Sequence, residues 1–226
     1  MARKVNEAEY QAKRNKILDV AYQFIVTKGF EQMSIQNILD QLHISRGAFF
    51  HYFRSKHQLL EALIQRMLDD VEQQVLLIIK NERSATNKLQ GFFVKVSEVK
   101  TAQRQLLLQL LEVWYSDNNV LVRKKTREKK IQRFEPLIRQ IIYQGMEENS
   151  MTGIETEYTS EVVLCLLLDL SDSFASSLLT RKNDPLDLEN KVFAYTQAIE
   201  RMLGLPARSL SLMDKETIYR WGENKI

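Results

Sequence analysis

Apolar residues recur at spacings of three and four along almost the whole chain, which is the period of a helix face and not of a strand. Only seven glycines and three prolines interrupt the 226 residues, so the pattern predicts an all-α protein. Hydrophobic residues make up 44% of the chain, ample for a packed core and far from the composition of a disordered segment.

The single cysteine, Cys165, lies among leucines and is expected to be buried and inert. The three histidines lack carboxylate or thiol partners at ligand spacing, so neither a metal site nor a cofactor is expected. The charged N-terminus MARKVNEAEYQAKR lacks the apolar stretch of a signal peptide, and no run reaches the roughly 20 apolar residues of a membrane span. A cytoplasmic protein with no membrane partner is the simplest expectation. Charge is uneven. The first 57 residues hold nine basic groups against five acidic ones, and the other 169 hold 23 against 24. Such a bias suits a polyanion partner at the N-terminal end, and a surplus this small also arises by chance.

The pattern predicts a first helix over Glu7 to Lys28, with Ile17, Val20, Ala21 and Phe24 as its apolar face and Gly29 as its stop. A second, capped by Ser34, buries Ile35, Ile38, Leu39 and Leu42. A third follows within two residues, capped by Ser45, with Phe49 and Phe53 inward. Ser55 and Gln58 fit a capping box that opens a fourth helix running to about Ile79. Further helices are expected over about 85–100, 103–115, 120–147, 157–180 and 187–203, with breaks at 116–119, 148–153 and 183–185, and a short one over 213–221.

Around the third helix, Gly47, Ala48 and His51 project away from the phenylalanines, with Phe50 and Tyr52 flanking. A helix with a small exposed first turn can approach base edges while a hydroxyl and basic groups at its rim reach phosphates. An ordinary helical hairpin with an incidental Gly-Ala surface satisfies the same pattern.

The stretch SIQNILDQLHISRGAFFHYFRSKHQLL, preceded by KGFEQ, resembles the DNA-binding domain of TetR/AcrR-type regulators over roughly Lys16 to Leu60. The positions that agree include Gly29, Phe30, Ile38, Ile44, Ser45, Gly47, Phe53 and Lys56, and the later AYTQAIERMLGL resembles the last dimer-forming helix of many members. The resemblance implies a three-helix helix-turn-helix domain over residues 1–57 and a helical effector-binding and dimerisation domain over 58–226. It implies that Arg46, Gly47 and Ala48 face bases, that Ser34 and Gln36 lie near phosphates together with Ser45, and that Tyr52 and Lys56 hold the other flank. Phe50 stands where the family commonly has a tyrosine and Tyr52 where it has a histidine, so Phe50 lacks the usual donor; His51 either reads a base or is a solvated surface residue.

The resemblance further implies a homodimer on palindromic double-stranded operator DNA, paired through the helices near 157–180 and 187–203, and release by a small-molecule effector. The run 162–168 is apolar on every side, which predicts burial nearly all round, in the chain's own core or against a partner subunit. Aromatic or polar groups on apolar faces give the candidate effector contacts: Phe92, Phe93, Trp114, Tyr115, Phe134, Tyr143, Asp169, Asp172 and Phe174. Ordinary core packing explains the aromatics equally, and the two aspartates suit a cationic ligand or a solvated rim. The basic run 123–130 with Arg133 reads as a solvated helix face or a second polyanion site. A regulator without an effector fits the same sequence. So, more remotely, does a helical enzyme using Asp169 and Asp172, although no glycine-rich phosphate loop or nucleophile motif supports catalysis.

Overall fold

The computed structural model describes residues 7–153, 157–180 and 184–222. Among them the chain forms ten α-helices and no strand. These are α1 (Glu7–Lys28), α2 (Ile35–Leu42), α3 (Arg46–Tyr52), α4 (Lys56–Ile79), α5 (Ala85–Ala102), α6 (Arg104–Tyr115), α7 (Val120–Glu147), α8 (Thr159–Leu179), α9 (Pro185–Leu203) and α10 (Lys215–Gly222). The expected break at Asn183 and the last four residues of the tail lie outside the described residues. Two compact units emerge: the chain up to Leu68 with Arg104–Asn119, and Asp69–Gln103 with the chain from Val120 onward.

In the first unit local chemistry sets each boundary. Gly29 adopts the left-handed φ of 83° that ends α1, and its N–H reaches the Ile25 carbonyl at 2.9 Å. Ser34 and Asn37 form a reciprocal capping box: the Asn37 N–H donates to Ser34 Oγ (3.2 Å) and the Ser34 N–H donates to Asn37 Oδ1 (3.0 Å). His43 then turns the chain with a φ of 51°, and Ser45 Oγ accepts the Ala48 N–H at 3.1 Å to start α3. At α4 the Gln58 N–H donates to Ser55 Oγ as expected, but Gln58 Oε1 accepts from the Arg54 N–H, one residue earlier than a capping box requires.

The core beneath these turns gathers Ile17, Leu18, Ala21, Ile25, Phe30, Met33, Ile38, Leu39, Phe49, Phe53, Leu59, Leu60 and Leu63 with Leu106 and Leu110 of α6. The buried stripe of α1 is therefore Ile17, Leu18, Ala21 and Ile25, rotated from the expected face; Val20 and Phe24 are half-buried, as are Ile35 and Leu42 of α2. Two sides of α1 are contacted, by α2 and by α6, and the stripe faces both. The ion pair from Arg66 to Asp19 (2.6 Å) ties the start of α4 to α1.

The second unit stacks α5 on α7, α7 on α8, α8 on α9 and α9 on α10. Phe92, Phe93, Phe134, Ile138, Ile141, Val163 and Leu164 are buried in it. The loop after α7 crosses the end of α9 backbone to backbone: a Cβ on Gly153 would meet the Gly204 nitrogen at 2.6 Å, and the Gly153 N–H donates to the Leu203 carbonyl. Glu200 is buried and accepts the N–H groups of Arg208 and Leu210 (3.1 and 2.9 Å), so its carboxylate closes the turn after α9.

Three expectations for this unit change. The run Val162–Leu168 is not covered all round: Val163 and Leu164 are buried, Cys165 through Leu168 are half-buried and Val162 is 44% exposed, because α7 and α9 cover only part of the α8 circumference. Cys165 is accordingly half-buried and not sealed in the core. Finally, α8 is long and apolar enough to cross a membrane, with a mean hydropathy of 1.8 over its most apolar window, although no continuous apolar run suggests it. Serines and isolated aspartates break the run without lowering the average far.

Candidate nucleic-acid interface

The surface of α2 and α3 is built from what the core does not take. Phe49 and Phe53 are buried, which fixes the roll of α3 and turns Arg46, Gly47, Phe50 and His51 outward. Gly47 opens onto empty space: an added Cβ would meet only Ser45 Oγ, at 4.0 Å. Ala48 is half-buried behind it. The Arg46 guanidinium lies 5.6 Å from the centre of the Phe50 ring, itself edge-on to Phe49 at 5.5 Å, so Phe50 supports the arginine with its face while 39% exposed.

Ser34 and Ser45 are exposed, each oxygen accepting from its own helix, which leaves the hydroxyl proton to donate. Gln36 is exposed, with its amide donating to Asp40 Oδ1 at 2.7 Å. Lys56 is folded back: its ammonium donates to the Glu31 carbonyl (3.0 Å) and sits 4.4 Å from the centre of Phe30. Partial burial there lowers its pKa, against an opposing pull from Glu31.

Two residues of α1 that periodicity and motif did not single out share this surface. Tyr10 packs on Tyr52 (4.9 Å between ring centres) and edge-on to His51 (5.6 Å), and the Arg14 guanidinium lies 5.0 Å from the Phe53 ring. They are one turn apart on a helix whose apolar pattern begins only later, at Ile17, so only their chemical type signals them. Ser34, Gln36, Ser45, Arg46, Gly47, Ala48, Phe50, His51, Tyr52 and Lys56 thus all belong to one unit, on consecutive elements that one core holds.

The candidate effector contacts separate. Phe92, Phe93 and Phe134 come together in the second unit, with ring centres 5.9 and 6.3 Å apart, and Phe174 is buried there as well. Tyr143 is half exposed, Asp169 accepts the Tyr195 hydroxyl, and Asp172 pairs with Arg127 at 3.8 Å. Trp114 and Tyr115 belong to the first unit, where Trp114 packs against its core. The basic run divides too: Lys124, Lys125 and Lys129 are exposed, whereas Arg133 turns inward to Asp69 (2.8 Å) and Glu72.

Residues 17–63 match the model of the tetR family of bacterial regulatory proteins. The match makes this segment similar to the tetR family. Similar proteins include the HTH-type transcriptional repressor KstR2 of Mycolicibacterium smegmatis, 26% identical over 83 residues, which are 37% of this chain and 40% of that protein. Another is the HTH-type transcriptional repressor Rv1474c of Mycobacterium tuberculosis, 37% identical over 60 residues, 26% of this chain and 32% of that one. The chain thus spans at most about two fifths of either. A TetR transcription regulator from Haloarcula marismortui has the same fold at 16% identity, with a TM-score of 0.63 over 86% of this chain and 97% of that one. The tetR-family sequence signal lies in the first unit, and the likeness in fold extends through the rest.

Proposed function

We propose that this chain is a transcriptional repressor of the tetR family that binds palindromic operator DNA as a homodimer and is released by a small-molecule effector. The observation that carries the reading is the surface of α3: open space at Gly47, a guanidinium braced beside it, and a rim of hydroxyls and cations, all on a helix whose roll is fixed by two fully buried phenylalanines. Arg46, Gly47 and Ala48 face base edges on this reading, and Ser34, Gln36, Ser45, Tyr52 and Lys56 serve the backbone on either side. Phe50 contributes through Arg46, and His51 lies at the rim with Tyr10.

One head makes few contacts, so affinity requires two, on half-sites about 34 Å apart or a longer in-phase spacing. The uncovered apolar face of α8, with Tyr158, Val162, Cys165 and Leu166 lining one open groove, supports pairing through α8 and α9. The domain that follows the head, residues 58–226 as the sequence divides the chain, takes the effector and the partner subunit. Such a repressor acts in the cytoplasm, on DNA, and uses no catalysis.

Fluorescence anisotropy with DNA from upstream of the chain's own gene tests the reading. A folded dimer that binds there with strong salt dependence is the expected result, and a folded dimer that binds no such DNA overturns it.

A further inference from the structure

Three aromatic rings from two distant parts of the chain close a triangle in the first unit. Tyr10, near the start of α1, packs on Tyr52 of α3 with ring centres 4.9 Å apart and planes tilted by 37°, and it meets His51 edge-on at 5.6 Å. His51 and Tyr52 also meet edge-on, at 5.1 Å and 82°. Adjacent residues of a helix point about 100° apart and do not ordinarily face each other. Here the ring of Tyr10 stands against both, so a side chain of α1 gathers two neighbours on α3. One turn further along α1, the Arg14 guanidinium lies 5.0 Å from the centre of the Phe53 ring, which places a cation next to the triangle.

The core does not need this triangle. Phe49 and Phe53 are buried and fix the roll of α3, whereas Tyr10 and Tyr52 are half-buried and His51 is exposed. What the triangle does control is the polar chemistry of the second half of α3. From Ala48 to Tyr52 the side chains are a methyl group, two phenyl rings, an imidazole and a phenol. His51 and Tyr52 therefore carry every side-chain hydrogen-bond donor in that stretch, and Tyr10 touches both. Phe50 has no donor, and its face is already given to Arg46. An exposed side chain without such contacts moves among staggered rotamers and must be ordered when it binds. Ring contacts on His51 and Tyr52 remove that freedom while the protein is still free. A recognition helix reads bases with its N-terminal residues, so donors near the end of α3 stand where the DNA backbone passes.

We infer that Tyr10 is a positioning residue of the DNA-binding surface: its ring holds His51 and Tyr52 so that the imidazole N–H and the phenol O–H meet backbone phosphates already ordered. This rests on the DNA-binding reading and deepens it, because it enlists the start of α1 in a surface otherwise carried by α2 and α3. It also gives His51 a phosphate contact in place of a base contact or a freely solvated ring. Tyr10 acts through the other two rings, and its own hydroxyl is dispensable.

The test measures binding of the full-length protein to DNA from upstream of its own gene and to a mixed-sequence duplex. Tyr10→Ala should weaken both by about tenfold, the cost of ordering two side chains on binding, and Tyr10→Phe should stay within about twofold of the wild type. Tyr10→Ala combined with His51→Ala should lose clearly less than the product of the two single losses. Tyr10→Leu fills the space without a flat ring and repeats the comparison if the alanine variant does not fold. In the free protein, the ring signals of the three histidines report the geometry directly, with His51→Gln assigning His51. That signal should be displaced by the neighbouring rings and move toward the value of an unstructured histidine in Tyr10→Leu, while His43 and His57 stay in place. Unchanged binding by Tyr10→Ala, a Tyr10→Phe variant as weak as Tyr10→Ala, independent losses in the double variant, a loss confined to the upstream DNA, or an unmoved His51 signal each overturns the inference. Any of these with a wild type that binds DNA sinks this role alone, and a folded wild type that binds neither DNA sinks the broader reading with it.

Discussion

At Arg46 and Lys56 two cations of one surface are held in opposite ways, and their substitutions should differ accordingly. Arg46 leans on an exposed ring and has the fork needed for a guanine edge, so Arg46→Ala should cost specific operator binding about 1–3 kcal/mol and non-specific binding less. Lys56 is a point charge packed on Phe30, so Lys56→Ala should weaken both alike and lower the salt slope by about one, and anisotropy over a salt series distinguishes the two. Lys100 gives a prediction about pH. Its ammonium is held to about 8 in the fold against an ordinary 10.5, so between those values the unfolded chain binds the extra proton and stability rises with pH. Below that window the full penalty is present; above it the penalty is gone. Lys130, Asp172 and Ser171 face this group, and the Lys130 ammonium is itself lowered by burial. Urea unfolding at pH 7.5 and 10 should therefore show a rise in the wild type, on the order of 2 kcal/mol from this group, that Lys100→Met loses.

At the scale of the helix, stability in the first unit depends on polar starts as much as on the core. Ser34→Ala removes the acceptor for the Asn37 N–H and should cost about 1 kcal/mol, read as a lower urea midpoint with an unchanged slope. These starts were also what made the head legible. Gly29, Ser34, Ser45 and Ser55 are local signals, and the bounds Glu7–Lys28, Ile35–Leu42 and Arg46–Tyr52 follow from them almost without tertiary information. What the sequence left open is decided by neighbours distant along the chain. The stripe of α1 rolled toward Leu18 and Ile25 because α6 packs there, and nothing near residue 106 announces that Leu106 and Leu110 belong to the core of the first helices. Tyr10 escaped for a related reason, since its partners His51 and Tyr52 are 41 and 42 residues away.

For the whole molecule, assembly is the property most exposed to test. Val162 and Phe193 are large apolar side chains left uncovered on α8 and α9, so Val162→Glu with Phe193→Glu should convert the proposed dimer to a folded monomer in sedimentation and weaken operator binding by more than tenfold, with helicity unchanged. A variant that stays dimeric would place the two-fold axis elsewhere. The open space at Gly47 carries a consequence of another kind. Its outward face touches nothing that folding requires, and Arg46 beside it rests on a ring already at the surface. Residues 46 and 47 can then change by mutation while the buried phenylalanines and the serine caps keep the head intact. In evolutionary terms a duplicated gene for this chain starts with its reading surface decoupled from its foldability. Under the proposed function, new target sequences are accessible to it in single steps, without an unfolded intermediate between one specificity and the next.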